Sequence, residues 1–182
     1  MAKNILVLTG SPRKNGNSDK LADAFIAGAQ QAGHTTVKFA TAEKSIKGCI
    51  ACQTCFSKGS ACSIPDDFAE LAPLVEQADM VVFACPLYWF TFPAQLKAAI
   101  DKFFAFLIGK RPLKVKECAL LVVGGGEDLK IYEGIVKSYH LMAEFLNWKD
   151  GGVIIVPGVQ DKQDILNTDG LKRAEALGKS IV

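Results

Sequence analysis

Four of the six cysteines in the chain are clustered and could together hold a metal centre. Cys49, Cys52, Cys55 and Cys62 follow the spacing C-x2-C-x2-C-x6-C. Three thiolates at intervals of three residues can wrap one cubane, with a fourth ligand from nearby, which is a known way to hold a [4Fe–4S] cluster. Zinc also accepts four thiolates. The spacing therefore leaves three interpretations open: an iron-sulfur cluster, a zinc site, or cysteines that are free or structural.

A second stretch, Gly10 to Ser18, has the composition of a phosphate-binding loop. The apolar run Ile5 to Leu8 predicts a buried strand that ends at Gly10 and Pro12, and apolar residues at helical spacing follow from Leu21. A loop between a strand and a helix N-terminus presents free backbone N–H groups to an anion. Further donors come from the side chains of the loop, Ser11, Arg13, Asn15 and Ser18.

The pattern of this loop narrows the anion that it could bind. It matches neither G-x-G-x-x-G nor G-x-x-x-x-G-K-[ST], so it is neither a dinucleotide fingerprint nor a P-loop. We expect a phosphomonoester, with Asn17 or Ser18 as the N-cap of the helix. The alternative is an ordinary connection between a strand and a capped helix.

Length and composition exclude several classes of protein. With 182 residues and a formal net charge of +2, the chain is expected to form a single domain, residues 1–182, with a Cys-rich loop at about 45–65. The basic residues are scattered, so nucleic acid is not an expected partner. No apolar run approaches the ~18 residues of a membrane span. We expect a cytoplasmic protein, in which Cys85 and Cys118 are small buried hydrophobes rather than halves of disulfides.

The remaining sequence predicts strands that alternate with helices. Strands are expected at 5–8, 34–40, 79–85, 117–123 and 152–156, with one helix from Phe92 to Leu107, a last helix at 171–181, and Asp66-Asp67 capping a short helix. Five strands that alternate with five helices predict an α/β fold with a parallel sheet covered on both faces. Ligands of such sheets lie beyond the carboxyl ends of the strands. Three unusual loops should therefore converge there: 10–18, the aromatic segment 86–93, and 124–127.

Taken together, these residues resemble the flavodoxin-like NAD(P)H-dependent FMN reductases, and among them the iron-sulfur flavoproteins. The resemblance rests on G-S-P-R-x-x-G-N-S at 10–18, the Cys-rich segment followed by Asp-Asp, and P-L-Y-W at 86–89. It implies a three-layer sandwich with strand order 2-1-3-4-5 and a bound FMN. The residues implied to bind the FMN phosphate are Ser11, Arg13, Asn17 and Ser18. Those implied to line the isoalloxazine and ribityl are Pro86, Leu87, Tyr88, Trp89 and Phe90, with Gly125 and Gly126 bordering the ring.

The resemblance also implies an activity. NAD(P)H would reduce FMN, and FMN would reduce a small-molecule or protein acceptor such as a quinone, a flavin, a metal ion or an iron-sulfur partner. A homodimer or homotetramer is implied, and a [4Fe–4S] cluster on the four cysteines would exchange single electrons with FMN. Because the cofactor carries the reaction, no catalytic side chain is expected, and His34 and His140 are interpreted as structural or solvated. A non-enzymatic electron carrier and a redox or metal sensor are the alternatives, which steady turnover of NADH or NADPH would distinguish from an enzyme.

Overall fold

The computed structural model describes residues 1–182 and has a five-stranded parallel sheet at its centre. The strands are β1 (Asn4–Thr9), β2 (Thr35–Ala40), β3 (Met80–Pro86), β4 (Glu117–Val123) and β5 (Lys149–Val156). Their order in the sheet is β2-β1-β3-β4-β5, and every neighbouring pair is parallel. The predicted α/β fold and the strand order 2-1-3-4-5 are therefore confirmed.

Six α-helices cover the two faces of this sheet. They are α1 (Asn17–Gln31), α2 (Phe68–Gln77), α3 (Ala94–Asp101), α4 (Phe104–Ile108), α5 (Glu133–Leu146) and α6 (Gly170–Lys179). Side chains alternate across the strands, so that Leu6 and Leu8 face the layer of α2 to α5 while Ile5 and Val7 face α1 and α6. The result is a three-layer sandwich with one hydrophobic core on each side of the sheet. None of its helices is both long enough and apolar enough to cross a bilayer.

The single helix predicted from Phe92 to Leu107 is wrong, because the chain forms two helices there. Helix α3 ends at Asp101, and α4 begins at Phe104. Between them, Lys102 and Phe103 are both buried, at 2% and 5% exposed. The backbone forms i→i+3 hydrogen bonds at this point, in place of the i→i+4 bonds of a regular α-helix.

Two predicted helix caps also differ from the structure. Asn17 is the first residue of α1 and Gly16 is the N-cap, so neither Asn17 nor Ser18 caps the helix with its side chain. At α2 the N-cap position is Asp67, but its side chain makes no capping hydrogen bond and accepts instead from the backbone N–H of Ser45 at 2.7 Å. The preceding Asp66 accepts a hydrogen bond from the Phe68 backbone N–H at 3.0 Å through Oδ1, so it serves the first N–H of the helix from one residue before the cap.

Candidate functional site

Two adjoining cavities lie at the carboxyl ends of the strands. The first, here called the polar cavity, has a volume of about 170 Å³ and is lined by the loops after β1, β3, β4 and β5. The second, here called the aromatic cavity, has a volume of about 480 Å³ and is lined mainly by the loops after β3 and β4. They share Leu87, Tyr88, Gly124 and Gly125. All eleven residues that the sequence suggested for cofactor binding line one cavity or the other.

The loop after β1 forms one wall of the polar cavity and offers hydrogen-bond donors to it. Ser11 Oγ accepts a hydrogen bond from the Arg13 backbone N–H at 3.1 Å, and the Gly16 N–H donates to the Arg13 carbonyl oxygen at 3.0 Å. The backbone N–H groups of Asn17 and Ser18 open the first turn of α1 and have no acceptor in the chain. Ser18, at 2% exposed, lies inside the cavity wall. This wall has the donor pattern that binds a phosphate at a helix N-terminus.

The loop after β5 closes the other side of the polar cavity, and sequence reasoning missed it. Val159 and Gln160 line the cavity, and Arg13 Nη1 donates to the carbonyl oxygen of Gln160 at 3.0 Å. Asn17 Nδ2 donates to the carbonyl oxygen of Asp161 at 2.9 Å, so the Asn17 side chain joins the two loops. Its amide oxygen accepts two backbone N–H groups of the same segment. Asn17 therefore keeps its backbone N–H and the second hydrogen of Nδ2 as donors that could face a ligand.

The aromatic segment after β3 forms a strained turn at the mouth of the aromatic cavity. Tyr88 and Thr91 exchange backbone hydrogen bonds of 3.1 and 3.0 Å, and the two residues between them have φ of 45° at Trp89 and 64° at Phe90. Positive φ at both central positions defines a type I′ turn, which favours Asn and Gly rather than bulky side chains. Trp89 is 90% exposed and Phe90 is 54% exposed. The turn thus holds two aromatic side chains in solvent at a cost in backbone strain.

The glycine-rich loop after β4 lies between the two cavities and is fixed by a buried tyrosine. Tyr132, which is fully buried, donates its hydroxyl to the carbonyl oxygen of Gly126 at 3.1 Å. A Cβ on Gly124 would lie 2.6 Å from that hydroxyl oxygen, so this position has no room for a side chain. The backbone therefore approaches the cavities closely along this loop.

The chemistry of the lining fits a phosphorylated flat ring. Arg13 is the only charged side chain that lines either cavity, and it lies beside the free N–H groups of α1. The aromatic cavity offers five side chains with large apolar surfaces, Leu87, Tyr88, Trp89, Phe90 and Ile131. Neither cavity contains a histidine or a carboxylate. The site can therefore bind an anion and position an aromatic ring.

The four clustered cysteines line a third cavity, which shares no lining residue with the other two. Cys49, Cys52, Cys55 and Cys62 share its wall with Lys102, Phe104 and Ala105. The loop that carries them adopts left-handed backbone at three residues other than glycine, Ala51, Gln53 and Phe56. No three side chains of the types Cys, His, Asp and Glu lie close enough together to coordinate a metal ion. The structure thus brings the predicted ligands to one cavity without placing them at coordination distance.

The environments of these thiols differ. A hydrogen bond with the Thr54 side chain at 3.2 Å, together with contacts to backbone and to Ser63, lowers the pKa of Cys52 to about 7. Burial, and then the negative charge of the neighbouring thiolates at Cys62, Cys52 and Cys49, raises the pKa of Cys55 above its ordinary value. Mutual repulsion among thiolates is relieved when they bind a cation, so the donor set fits a metal centre.

The remaining cysteines and both histidines have structural environments, as predicted. Cys85 and Cys118 are fully buried, and burial raises the pKa of the Cys118 thiol to about 11. His34 Nδ1 accepts from the backbone N–H of Lys3 at 3.1 Å, so Nε2 must donate to the Ile181 carbonyl oxygen at 2.9 Å. His140 lies on α5, with Nε2 3.3 Å from Asp150 Oδ2. None of these residues lines either of the two adjoining cavities.

Comparison with known proteins identifies relatives over most of the chain. Residues 3–156 match the model of the NADPH-dependent FMN reductase family. An iron-sulfur flavoprotein from Archaeoglobus fulgidus is 33% identical over 186 aligned residues, which cover 96% of this chain and 76% of the relative. An iron-sulfur flavoprotein from Methanosarcina thermophila is 33% identical over 160 residues, or 85% of this chain and 83% of the relative.

A solved structure has the same fold at lower sequence identity. An NAD(P)H:quinone oxidoreductase from Methanothermobacter marburgensis superposes with a TM-score of 0.77, at 21% identity, covering 98% of this chain and 96% of the other.

Proposed function

The chain belongs to the NADPH-dependent FMN reductase family, in the branch that includes proteins named iron-sulfur flavoproteins, and from this membership we propose where its cofactors bind. It is an FMN-dependent NAD(P)H oxidoreductase. In the proposal, the FMN phosphate lies in the polar cavity and the isoalloxazine lies in the aromatic cavity. The observation that carries this assignment is the single charged side chain, Arg13, beside the free N–H groups of α1.

In this proposal the chain holds the phosphate through charge and hydrogen bonds. Ser11 and Ser18 would donate hydroxyl hydrogen bonds, Arg13 would supply the positive charge, and Asn17 would contribute its backbone N–H. Asn17 and Gln160 would act mainly by holding the loop after β5 against the loop after β1. Hydrogen bonds to a charged phosphate are stronger than those between neutral groups, so these contacts would dominate FMN affinity.

The proposed role of the aromatic cavity is to orient the ring and to exclude water from one of its faces. Pro86, Leu87 and Tyr88 would line the ribityl and the ring, with Trp89 and Phe90 at the open side. The backbone of Gly125 and Gly126 would border the ring edge, where N–H groups can hydrogen-bond to its heteroatoms. Bound FMN would supply hydride acceptance from NAD(P)H, so the proposal requires no protein acid or base.

We also propose that Cys49, Cys52, Cys55 and Cys62 hold a [4Fe–4S] cluster. Their spacing, their shared cavity and the names of the 33% identical relatives support this assignment. Such a cluster would exchange one electron at a time with an acceptor, whereas a hydride delivers two. We therefore propose a one-electron acceptor for the cluster. Small molecules such as a quinone, another flavin or a metal ion are further proposed acceptors. Zinc or free cysteines at this position are the alternatives.

The proposal includes a homodimer or homotetramer in the cytoplasm. The exposed aromatic side chains of Trp89 and Phe90 support a second copy near the ring, because large apolar surfaces are otherwise costly to leave in water. Six free cysteines support a reducing compartment.

Steady-state turnover tests the proposed function. Protein loaded with FMN is mixed anaerobically with NADH or NADPH and an excess of an artificial acceptor such as ferricyanide. An oxidoreductase consumes many equivalents of reduced nicotinamide per chain. A non-enzymatic electron carrier would accept electrons from a protein donor but would not turn over the nicotinamide, and this result would contradict the proposal.

A further inference from the structure

The segment that carries the four cysteines is closed at its base by two consecutive aspartates. Asp66 Oδ2 accepts the backbone N–H of Lys47 at 2.9 Å. Asp67 accepts the backbone N–H of Ser45 at 2.7 Å through Oδ2, and its own N–H donates to the Ser45 carbonyl oxygen at 3.2 Å. Lys47 lies two residues before Cys49, and Asp66 lies four residues after Cys62. These contacts join the start of the cysteine loop, residues 47–66, to its end.

The closure is completed by a buried ion pair. Lys102 Nζ lies 2.5 Å from Asp66 Oδ2, and the two side chains are only 1% and 2% exposed. Asp66 also accepts the Phe68 N–H, so its carboxylate has three donors from three parts of the chain. Burying two charges costs several kcal/mol that their attraction and hydrogen bonds must offset, and removing one partner would leave the other as an unpaired buried charge.

Lys102 also belongs to the wall of the cysteine cavity. It lies in the short segment between α3 and α4, and its ammonium lies 5.6 Å from the centre of the Phe68 ring. The four cysteines line the same cavity as Lys102, together with Phe104 and Ala105 that follow it. The ion pair therefore connects the cavity wall to the base of the loop that carries the thiols.

We infer that Asp66 and Lys102 are positioning residues for the metal centre of the four cysteines. They fix the two ends of the cysteine loop against the helix break, so that Cys55 and Cys62 stay half-buried and all four thiols face one cavity. This inference rests on the proposed metal-binding role of the cysteines. Lys102 reaches Asp66 from the interruption between α3 and α4, where the backbone is no longer a regular α-helix.

The test compares thiol reactivity in the full-length, metal-free protein. The variants are Lys102→Met and the double variant Asp66→Asn/Lys102→Met, and the control is Lys97→Met. Lys97 forms an ion pair with Asp101 on the same helix, but that pair is exposed. Alkylation by iodoacetamide is followed at each cysteine by mass spectrometry. We expect alkylation of Cys55 and Cys62 to be at least tenfold faster in both variants, and within twofold of the original rate in the control.

Two buried cysteines report whether each variant is folded. Cys85 and Cys118 are fully buried, so they stay unmodified as long as the sheet persists. Should Lys102→Met alone unfold the protein, the double variant decides, because it leaves no buried charge unpaired. Hydrogen exchange in the unmodified protein is a second measurement that needs no variant. The Lys47 N–H, bound by Asp66, should exchange at least tenfold more slowly than the Gly48 N–H, which has no acceptor in the chain.

Binding of Co²⁺ tests the proposed metal-binding role of the cysteines separately from the positioning role of Asp66 and Lys102. If the unmodified protein shows thiolate-to-Co²⁺ absorption and the variants bind Co²⁺ at least tenfold more weakly, both are supported. If it binds no metal while the variants still expose Cys55 and Cys62, the metal-binding role fails, and what stands is that Asp66 and Lys102 position the thiols. Folded variants that protect Cys55 and Cys62 as well as the original chain does, or equal exchange at Lys47 and Gly48, would overturn the inference.

Discussion

The guanidinium of Arg13 donates a hydrogen bond to the backbone carbonyl oxygen of Gln160 over 3.0 Å, across 147 residues of sequence. This contact joins the loop after β1 to the loop after β5 and holds a positive charge at the rim of the polar cavity. A bound phosphate would face Arg13 from the cavity side.

Removing the charge and the hydroxyl on this rim should weaken FMN binding. For Ser11→Ala/Arg13→Ala we expect at least a tenfold loss of affinity, because each charge-assisted hydrogen bond contributes about 1.5–3 kcal/mol. Titration of flavin fluorescence measures the change. The control is Lys14→Ala, since Lys14 pairs with Glu43 and does not line the polar cavity. Unchanged affinity in the double variant would remove the phosphate assignment.

Removing the buried hydroxyl of Tyr132 should weaken FMN binding indirectly, because this hydroxyl holds the glycine-rich loop after β4. In Tyr132→Phe the Gly126 carbonyl oxygen keeps only the bond from the Gly158 N–H at 3.3 Å. We expect FMN affinity to fall about fivefold, which corresponds to the ~1 kcal/mol of one hydrogen bond.

Tyr139→Phe is the matched control for this change. Tyr139 is equally buried, but its hydroxyl donates to Asp150 at 2.6 Å near the amino ends of β4 and β5. This variant should lower the free energy of unfolding and leave FMN affinity within twofold. Equal losses of affinity in the two variants would mean that the effect is one of general stability.

The strained turn predicts opposite changes in stability and activity. Phe90→Gly places glycine at a φ of 64° and should raise the free energy of unfolding by about 1 kcal/mol, because a side chain in left-handed backbone is strained. The same change removes part of the aromatic wall, so NAD(P)H turnover should fall. Thermal unfolding and steady-state rates measure the two effects.

Lys110→Gly serves as the control for backbone strain. Lys110 has a φ of 50° and lines none of the cavities at the strand ends. It should give a similar gain in stability with unchanged turnover. A Phe90→Gly protein with full activity would exclude Phe90 from the site.

Because the Asp66 carboxylate is buried and hydrogen-bonded, we expect the free energy of unfolding to depend on pH in the acid range. Burial alone would raise its pKa, but hydrogen bonds from Lys102 and from the backbone N–H groups of Lys47 and Phe68 hold the pKa below its ordinary value. Its stabilising contribution is therefore fully present above the unfolded-state pKa of about 3.9 and is lost as the pH falls through the lower folded-state value.

Urea unfolding of the original chain and of Asp66→Asn at several pH values measures this contribution. The difference in unfolding free energy between the two proteins should be constant from neutral pH to about pH 5 and should shrink in stronger acid. A difference that does not change with pH would show that ionised Asp66 contributes nothing to folding.

The sequence predicts the sheet and much of the site because those features are local. The buried strands are continuous apolar runs, and the loops after β1, β3 and β4 stand out by their serine, aromatic and glycine content. The loop after β5 contributes through the Gln160 carbonyl oxygen and through contacts to Asn17, and a backbone contribution leaves no pattern in residue type. The position of this loop at the same edge of the sheet could have identified it.

Lys102 is the clearest case that sequence reasoning could not resolve. A lysine next to apolar positions of an amphipathic helix is usually exposed, since its ammonium prefers water. Its burial depends on Asp66, which is 36 residues away in sequence and approaches only when the cysteine loop closes. Lys102 also lies between α3 and α4, so the wrongly predicted single helix and the missed ion pair fall at the same position in the chain.

The most direct test of the account is the cofactor content of protein purified without oxygen. An absorption spectrum is recorded, and FMN, iron and acid-labile sulfide are assayed on the same sample. The account predicts flavin bands with a broad additional absorbance, and about one FMN, four irons and four sulfides per chain. Flavin without iron or sulfide would contradict the cluster assigned to Cys49, Cys52, Cys55 and Cys62. A chain that binds no FMN would contradict the assignment of the two cavities themselves.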